Sequence, residues 1–208
     1  NWSEVSRRAG ESPLMPGTSL PMIPGYECSG VVEEVGNAVT QFKVGDRVIG
    51  RGLPHTYMEY VAAPENNVFP IPDELDIVEA STVISGLTMA WQVLVNCAQV
   101  QANDWVLIHA IGSGTGIMSV QVAKYLGAQV IGTASTNEKL EWAKSYGLDH
   151  GINYTSEDFV EEVQRITDGQ GVSVVVDGMG GEILLKSLGC VKPYGRIVNF
   201  GRASAGRS

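Results

Sequence analysis

Gly112, Ser113, Gly114, Thr115 and Gly116 form a cluster of small residues between an apolar run at residues 105–110 and a stretch in which Ile117, Val120, Val122, Ala123 and Leu126 recur at mainly helical spacing. A strand that runs through a glycine turn into a helix lets backbone N–H groups approach a diphosphate. The first helical turn has donors without carbonyl partners and carries the positive end of the peptide dipole. The chemistry implied is the holding of a dinucleotide.

Glycines also mark ordinary turns, so the elements that would position such a site matter. Short apolar strands are expected at residues 129–134, 150–154, 172–177 and 196–200. Helices are expected at 137–146 with Gly147 as the stop, at 156–167 capped by Ser156, and near 182–188. Apolar strands alternating with helices predict an α/β domain with a doubly wound parallel sheet covered on both faces, an unrelated α/β domain being the alternative. Residues 21–71 differ in texture. They are rich in Gly, Pro and Val, with strand-like runs at 29–35, 47–50 and 57–62, as in a small β-rich domain. A helix at 81–95 leads from one to the other. The expected organisation is a first domain over 1–85 and a dinucleotide-binding domain over 86–208.

With 14 Lys and Arg against 23 Asp and Glu in 208 residues, the net charge of -9 disfavours a nucleic-acid partner. No apolar run is expected to approach membrane-spanning length, and no secretory signal is visible, so no membrane partner is expected. Cys28, Cys97 and Cys190 are far apart and form no CxxC pair, which suggests neither a disulfide framework nor a thiolate zinc site. A cytoplasmic location follows as the expectation, although a segment preceding Asn1 could carry a targeting signal.

The end of the second strand of the nucleotide domain bears on the cofactor. NAD specificity commonly uses an acid about 20 residues after the glycine motif, on the ribose hydroxyls. Here the sequence is Gly132-Thr133-Ala134-Ser135-Thr136, without an acid, and Lys139 lies one helical turn further on. A hydroxyl and an ammonium suit a 2′-phosphate, so NADPH is expected over NADH; the alternative is that Ser135 caps a helix and Lys139 is merely solvated.

IPGYECSGVVEEVG at 23–36, VGDRV at 44–48, GLT at 86–88 and the glycine loop, taken in that order, resemble the medium-chain dehydrogenase/reductase superfamily. The match is best to its zinc-free quinone oxidoreductase branch, which includes the zeta-crystallins. The resemblance covers nearly the whole chain. It implies a GroES-like catalytic domain, partial here, beside a Rossmann domain, with a cleft between them. Zinc-dependent members carry a histidine where this chain has Tyr26, and a cysteine ligand where it has Asn1. The cysteines of their structural zinc lobe have no counterpart between Val48 and Tyr60. Tetrahedral zinc needs three or four convergent ligands, so no metal is expected, and His55 and His109 are read as turn or strand-end residues. In the family pattern AxxGxxG, Ala110 and Gly116 match while Ser113 replaces a glycine.

What the resemblance implies for activity is hydride transfer from NADPH to a quinone or an α,β-unsaturated carbonyl. It places Asn1 and Thr88 near the nicotinamide, Phe200 and Gly201 beside its carboxamide, Gly178 to Gly180 on the other side, and Tyr154 as a phosphate or adenine contact. Tyr26 and Tyr57 are the candidate proton donors for an enone, whereas a hydroquinone anion can take its proton from water. Family members also begin before the residue matching Asn1 and continue beyond the strand at 196–200, where a sixth strand usually makes a dimer contact. A homodimer is therefore possible for a longer chain. Two other readings stay open, an NADPH-binding protein without turnover and a relative of the zinc alcohol dehydrogenases.

Overall fold

The computed structural model describes residues 2–11 and 19–203. The chain divides into two compact units, Asn1–Ser85 and Gly86–Ser208.

In the first unit a short helix α1 (Trp2–Arg8) precedes a three-stranded sheet of β1 (Glu27–Val31), β2 (Arg47–Arg51) and β3 (Val68–Pro70), antiparallel in the order β1-β2-β3. Its core is small: Ile49, Ile71 and Ala80 are buried, with Leu75, Ile77 and Ile84 packed against them. The strand expected at 57–62 does not form. Tyr57, Met58 and Tyr60 are all exposed, so neither face of that run is buried and nothing selects an extended ladder. The third strand lies instead at Val68–Pro70, where Phe69 pairs with Ile49 of β2.

Helix α2 (Ile77–Trp91) continues through a π-helical turn, Gln92–Cys97, and the division between the units falls inside it. Together they make a 21-residue helix of mean hydropathy 1.3, long and apolar enough by length and composition to cross a membrane. This corrects the expectation that no segment approaches that length. Ala80 enters the core of the first unit, and Ala90, Val93 and Leu94 that of the second, so packing uses part of its apolar character.

The second unit alternates β4 (Trp105–Ile108), α3 (Gly114–Tyr125), β5 (Gln129–Ala134), α4 (Asn137–Lys144), β6 (His150–Asn153), α5 (Phe159–Ile166), β7 (Val172–Asp177), α6 (Gly181–Ser187) and β8 (Val191–Asn199). The strands form one parallel sheet in the order β6-β5-β4-β7-β8. Period-two alternation explains its two covered faces. Val106, Ile108, Val130, Val174 and Val176 enter one hydrophobic cluster, whereas Leu107, Ile131 and Val175 enter the other. Each such side chain, fully buried, contributes about 1.5–3 kcal/mol.

Several boundaries differ from expectation, the connecting helix beginning at Ile77 and not at residue 81. Helix α5 is capped by Asp158, whose carboxylate accepts the N–H groups of Val160 and Glu161, and not by Ser156. Strand β8 begins at Val191, because a register shift opposite Val172 and Val174 lets the Pro-Tyr-Gly segment at 193–195 bulge within it. The run at 29–35 is ordered as a strand only to Val31.

Chain order places β4, β5 and β6 successively towards one edge and then returns to β7 and β8 on the other side of β4. That reversal makes the carboxyl ends of β4 and β7 the switch point where open α/β sheets bind ligands. The glycine turn leaves β4 there.

Candidate dinucleotide site

His109 and Ala110 carry the chain out of β4, and Ala110 is held at φ 53. This left-handed conformation costs a residue with a Cβ roughly 1–2 kcal/mol. The turn is fastened to the sheet by the Ile111 N–H donating to the Thr133 carbonyl at 3.0 Å. Ser113 is the N-cap of α3: its hydroxyl accepts the Gly116 N–H at 3.0 Å and its carbonyl accepts that of Ile117 at 2.9 Å. The Gly114 and Thr115 N–H groups, in the first helical turn, have no carbonyl one turn back within the helix. Gly112, Ser113 and Gly114 are exposed and Thr115 is half-buried. Gly116 is fixed by closeness, since a Cβ there would lie 2.4 Å from the Ala110 carbonyl oxygen and 2.9 Å from Ile111 Cα. A Cβ on Gly114 would meet nothing within 4 Å. Ser113, exposed where the family pattern has a glycine, thus supplies the cap of α3.

At the end of β5 the structure brings Ser135, Lys139 and Gly112 together. Lys139 Nζ donates to Ser135 Oγ at 3.4 Å, and a Cβ on Gly112 would lie 3.0 Å from Lys139 Cδ, so the lysine stem lies against the glycine turn. The cap of α4 is Thr136, whose hydroxyl accepts the Lys139 N–H at 3.4 Å. Ser135 is therefore not the cap, and its hydroxyl and the lysine ammonium face each other. Tyr154 follows β6 and donates its N–H to the Ala134 carbonyl at 3.1 Å, with Asn153 Nδ2 donating to Asn137 Oδ1 at 2.9 Å. These bonds tie the ends of β5 and β6 to the start of α4.

Beyond β7 the backbones themselves interlock. Gly178 would place a Cβ 2.8 Å from Phe200 Cζ, and Gly201 would place one 2.6 Å from the Gly178 carbonyl oxygen. The Phe200 N–H donates to the Asp177 carbonyl at 3.0 Å and the Ala203 N–H to that of Gly178 at 3.2 Å. The residue behind this arrangement is Asp177, fully buried, whose carboxylate accepts the Met179 N–H at 2.7 Å, the Gly180 N–H at 3.1 Å and Asn199 Nδ2 at 2.8 Å. Sequence reasoning did not single out Asp177 or Asn199. The available signal was a carboxylate closing the otherwise apolar, fully buried run VSVVVD.

His109 has more structure around it than a strand-end residue needs. It is buried, with Nδ1 2.9 Å from Thr133 Oγ1 and Nε2 2.9 Å from Ser187 Oγ, and its ring meets that of Phe159 edge-on. Ser187 Oγ already donates to the Ile183 carbonyl at 2.7 Å, so it must accept from Nε2–H while the Thr133 hydroxyl donates to Nδ1. The ring is then neutral, and burial depresses its pKa to about 4 against a smaller opposing pull from Asp177.

Thr88, half-buried on α2, lines an apolar concavity of about 500 Å³ with Trp91 on its own helix and Gln121, Val122 and Tyr125 on α3; it is not gathered with Ser135 and Lys139. Tyr26 is in the first unit, half-buried ahead of β1, and its hydroxyl pKa is raised chiefly by burial and then by Glu27. Tyr57 is exposed. Asn1 lies outside the described residues. Among the described residues no three His, Cys, Asp or Glu side chains converge as metal ligands. His55 Nδ1 is engaged with the Ile23 carbonyl at 2.8 Å in a turn of φ 62.

This geometry can be set beside known proteins. The alcohol dehydrogenase GroES-like domain model matches residues 1–73 and the zinc-binding dehydrogenase model matches residues 114–208. The chain belongs to the medium-chain dehydrogenase/reductase superfamily. It is 41% identical to the 2-haloacrylate reductase of a Burkholderia species over 98% of its own length and 62% of that protein's. Among solved structures it is similar to the Escherichia coli quinone oxidoreductase complexed with NADPH, with a TM-score of 0.89 at 32% identity, covering 98% of this chain and 62% of that one. It is equally similar to an NAD-dependent alcohol dehydrogenase, with a TM-score of 0.90 at 35% identity, covering 98% of this chain and 66% of that one. The chain thus spans about 62% of the length of the curated relative. The fold is the mixed α/β architecture of this superfamily, a GroES-like unit and a Rossmann unit.

Proposed function

We propose that this chain binds NADPH across the carboxyl ends of β5, β4, β7 and β8 and serves a reductase of quinones or α,β-unsaturated carbonyls that works without zinc. The observation that carries the reading is Lys139 lying along Gly112 with its ammonium at Ser135 Oγ. A cation and a hydroxyl meet at the end of β5, where an NAD site would present a carboxylate.

The residues present fit the cofactor. The N–H groups of Gly114 and Thr115 at the start of α3 suit the diphosphate, and the open space over Gly114 lets it approach. Lys139 and Ser135 take the 2′-phosphate, with Tyr154 beside them on the adenosine side. Gly178, Phe200 and Gly201 take the nicotinamide side. When bound, NADPH supplies a hydride from its nicotinamide C4 to an electron-poor acceptor. Asn1 and Thr88 are proposed near that end and Tyr26 as the proton donor for an enone. Burial keeps Tyr26 protonated well above neutral pH, the state a donor needs. Zinc is left out because Tyr26 stands at the position of the family's histidine, and both His55 and His109 hold hydrogen bonds within the fold. Small molecules are the partners in this reading and the cytoplasm is its compartment, where Cys28, Cys97 and Cys190 would stay reduced.

The test is calorimetric binding of NADPH and NADH to this chain and to Lys139→Ala. NADPH should bind at least tenfold more tightly than NADH, and the variant should lose most of that preference, about 1.5–3 kcal/mol for hydrogen bonds to a charged phosphate. Equal affinity for the two would overturn the phosphate assignment in favour of an NAD enzyme. NADPH binding without oxidation by any quinone or enone would leave a binding protein, and stoichiometric zinc would overturn the metal-free reading.

A further inference from the structure

Resting on the NADPH reading above, we infer that Asn199 is a positioning residue for the nicotinamide half of the site, acting through Asp177 and independent of the half that holds the 2′-phosphate. Asp177 and Asn199 are direct partners in the β7–β8 register, at the last ladder position before both strands release their loops. Asn199 Nδ2 donates to Asp177 Oδ2 at 2.8 Å and to the Gly201 carbonyl at 2.9 Å, with the Asp177 carbonyl also in range at 3.3 Å. The same carboxylate accepts the N–H groups of Met179 and Gly180. The side-chain amide thus adds to the backbone bonds between the two loops a link from the Asp177 carboxylate, which holds Met179 and Gly180, to Gly201.

The placement decides which part of the ligand this affects. The glycine turn at β4 takes the central diphosphate, and Ser135 with Lys139 commits the adenosine ribose to the β5 side. The other half of a dinucleotide must then run over β7 and β8. The side-chain hydrogen bonds of Asn199 and Asp177 run to each other and to Gly201, Met179 and Gly180, whereas Ser135, Lys139 and Thr136 bond among themselves on the β5 side. Asn199 is also exposed, so truncating it opens no cavity. Its effect should appear in how well the two loops present themselves to a ligand, rather than in whether the domain folds.

The experiment compares two ligands on wild type and Asn199→Ala by calorimetry: NADPH, and 2′,5′-ADP, which has the phosphorylated adenosine but no nicotinamide. The expected result is that NADPH binding weakens about tenfold, as for loss of one hydrogen bond to a charged acceptor, while 2′,5′-ADP binding stays within about twofold. Asn199→Ser, which keeps a donor able to serve one of these acceptors, should fall between wild type and Asn199→Ala for NADPH. It also carries the test if the alanine variant does not fold. Weakening of both ligands by the same factor, or of neither, overturns the inference, because a merely structural asparagine would not distinguish them. Wild-type protein that binds 2′,5′-ADP no better than 5′-AMP would instead overturn the NADPH reading itself.

Discussion

The carboxyl ends of β5 and β7 flank the same glycine turn and are built in opposite ways. At β5 the groups on offer are side-chain termini, with Lys139 exposed and a 3.4 Å contact to Ser135 the principal tie between them. At β7 a fully buried carboxylate organises backbone N–H groups, and glycines allow the Gly178 and Gly201 loops to touch. The first arrangement can adapt to a ligand at little cost to the fold. The second is set before any ligand arrives. Mutations on the two sides should therefore separate binding from stability.

The largest expected effect lies on the preorganised side. Asp177→Ala removes the acceptor for the Met179 and Gly180 N–H groups inside a fully buried site. Losing these hydrogen bonds to a buried carboxylate should destabilise the domain by roughly 3–4 kcal/mol, measured by urea denaturation. A loss under about 1 kcal/mol would show that β7 is no more preorganised than β5, and the contrast would fail.

His109 sits between the two sides, bonded to Thr133 of β5 and Ser187 of α6, and its effect is read by pH. Its folded pKa of about 4 lies below the ordinary 6.5, so the unfolded chain binds more protons between those values. Stability is unaffected above pH 6.5 and falls as pH drops towards 4, by at most about 3 kcal/mol from this group. Urea melts from pH 7 to pH 4 should show that loss, and His109→Gln should flatten the part due to the imidazole. An unchanged slope in the variant would assign the acid sensitivity to other groups.

On the β5 side the expectation reverses. Lys139→Ala should leave stability within about 0.5 kcal/mol, since the side chain is exposed, while removing most of the preference for NADPH. It should weaken NADPH and 2′,5′-ADP together, the opposite of the split expected for Asn199→Ala. If Lys139→Ala instead lowered the melting midpoint without changing either affinity, the lysine would be a structural brace for Gly112.

The same contrast explains what the sequence could tell. Ser135 and Lys139 are four positions apart across the start of α4, so their meeting is a local property legible from spacing alone. Asp177 and Asn199 meet through strand pairing, and the β8 bulge near Tyr194 shifts the register that brings them opposite. No local pattern encodes that shift. The inner strands were legible because parallel strands buried on both faces are continuous apolar runs, as in VSVVVD and QVIGTA. In the small first unit, only β2 reaches a buried core, and alternation misleads: YMEYVA at 57–62 has strand composition but no partner, whereas Val68–Pro70 ends in a proline and pairs with β2. Thr88 is read towards the nicotinamide end only through family resemblance; the structure shows it on α2 beside Trp91 and lining a concavity with Tyr125 of α3, a neighbourhood set by helix packing that no motif records.

The smallest expected effect belongs to the turn that both sides share. Ala110 is held at φ 53, a conformation that glycine adopts freely, so Ala110→Gly relieves strain in the folded state while adding freedom to the unfolded chain. The two terms nearly cancel, leaving a stability change below about 1 kcal/mol of either sign. Binding is the sharper readout. The turn presents its N–H groups to the diphosphate, which NADPH and 2′,5′-ADP share only in part, since the latter carries a single 5′-phosphate there. If the turn serves both sides alike, loosening it should weaken the two ligands by factors within about threefold of each other. A loss confined to 2′,5′-ADP would place Ala110 with the β5 side, through the Ile111 N–H bond to Thr133. A loss confined to NADPH would mean that the turn is coupled through His109 and Ser187 to the elements after β7.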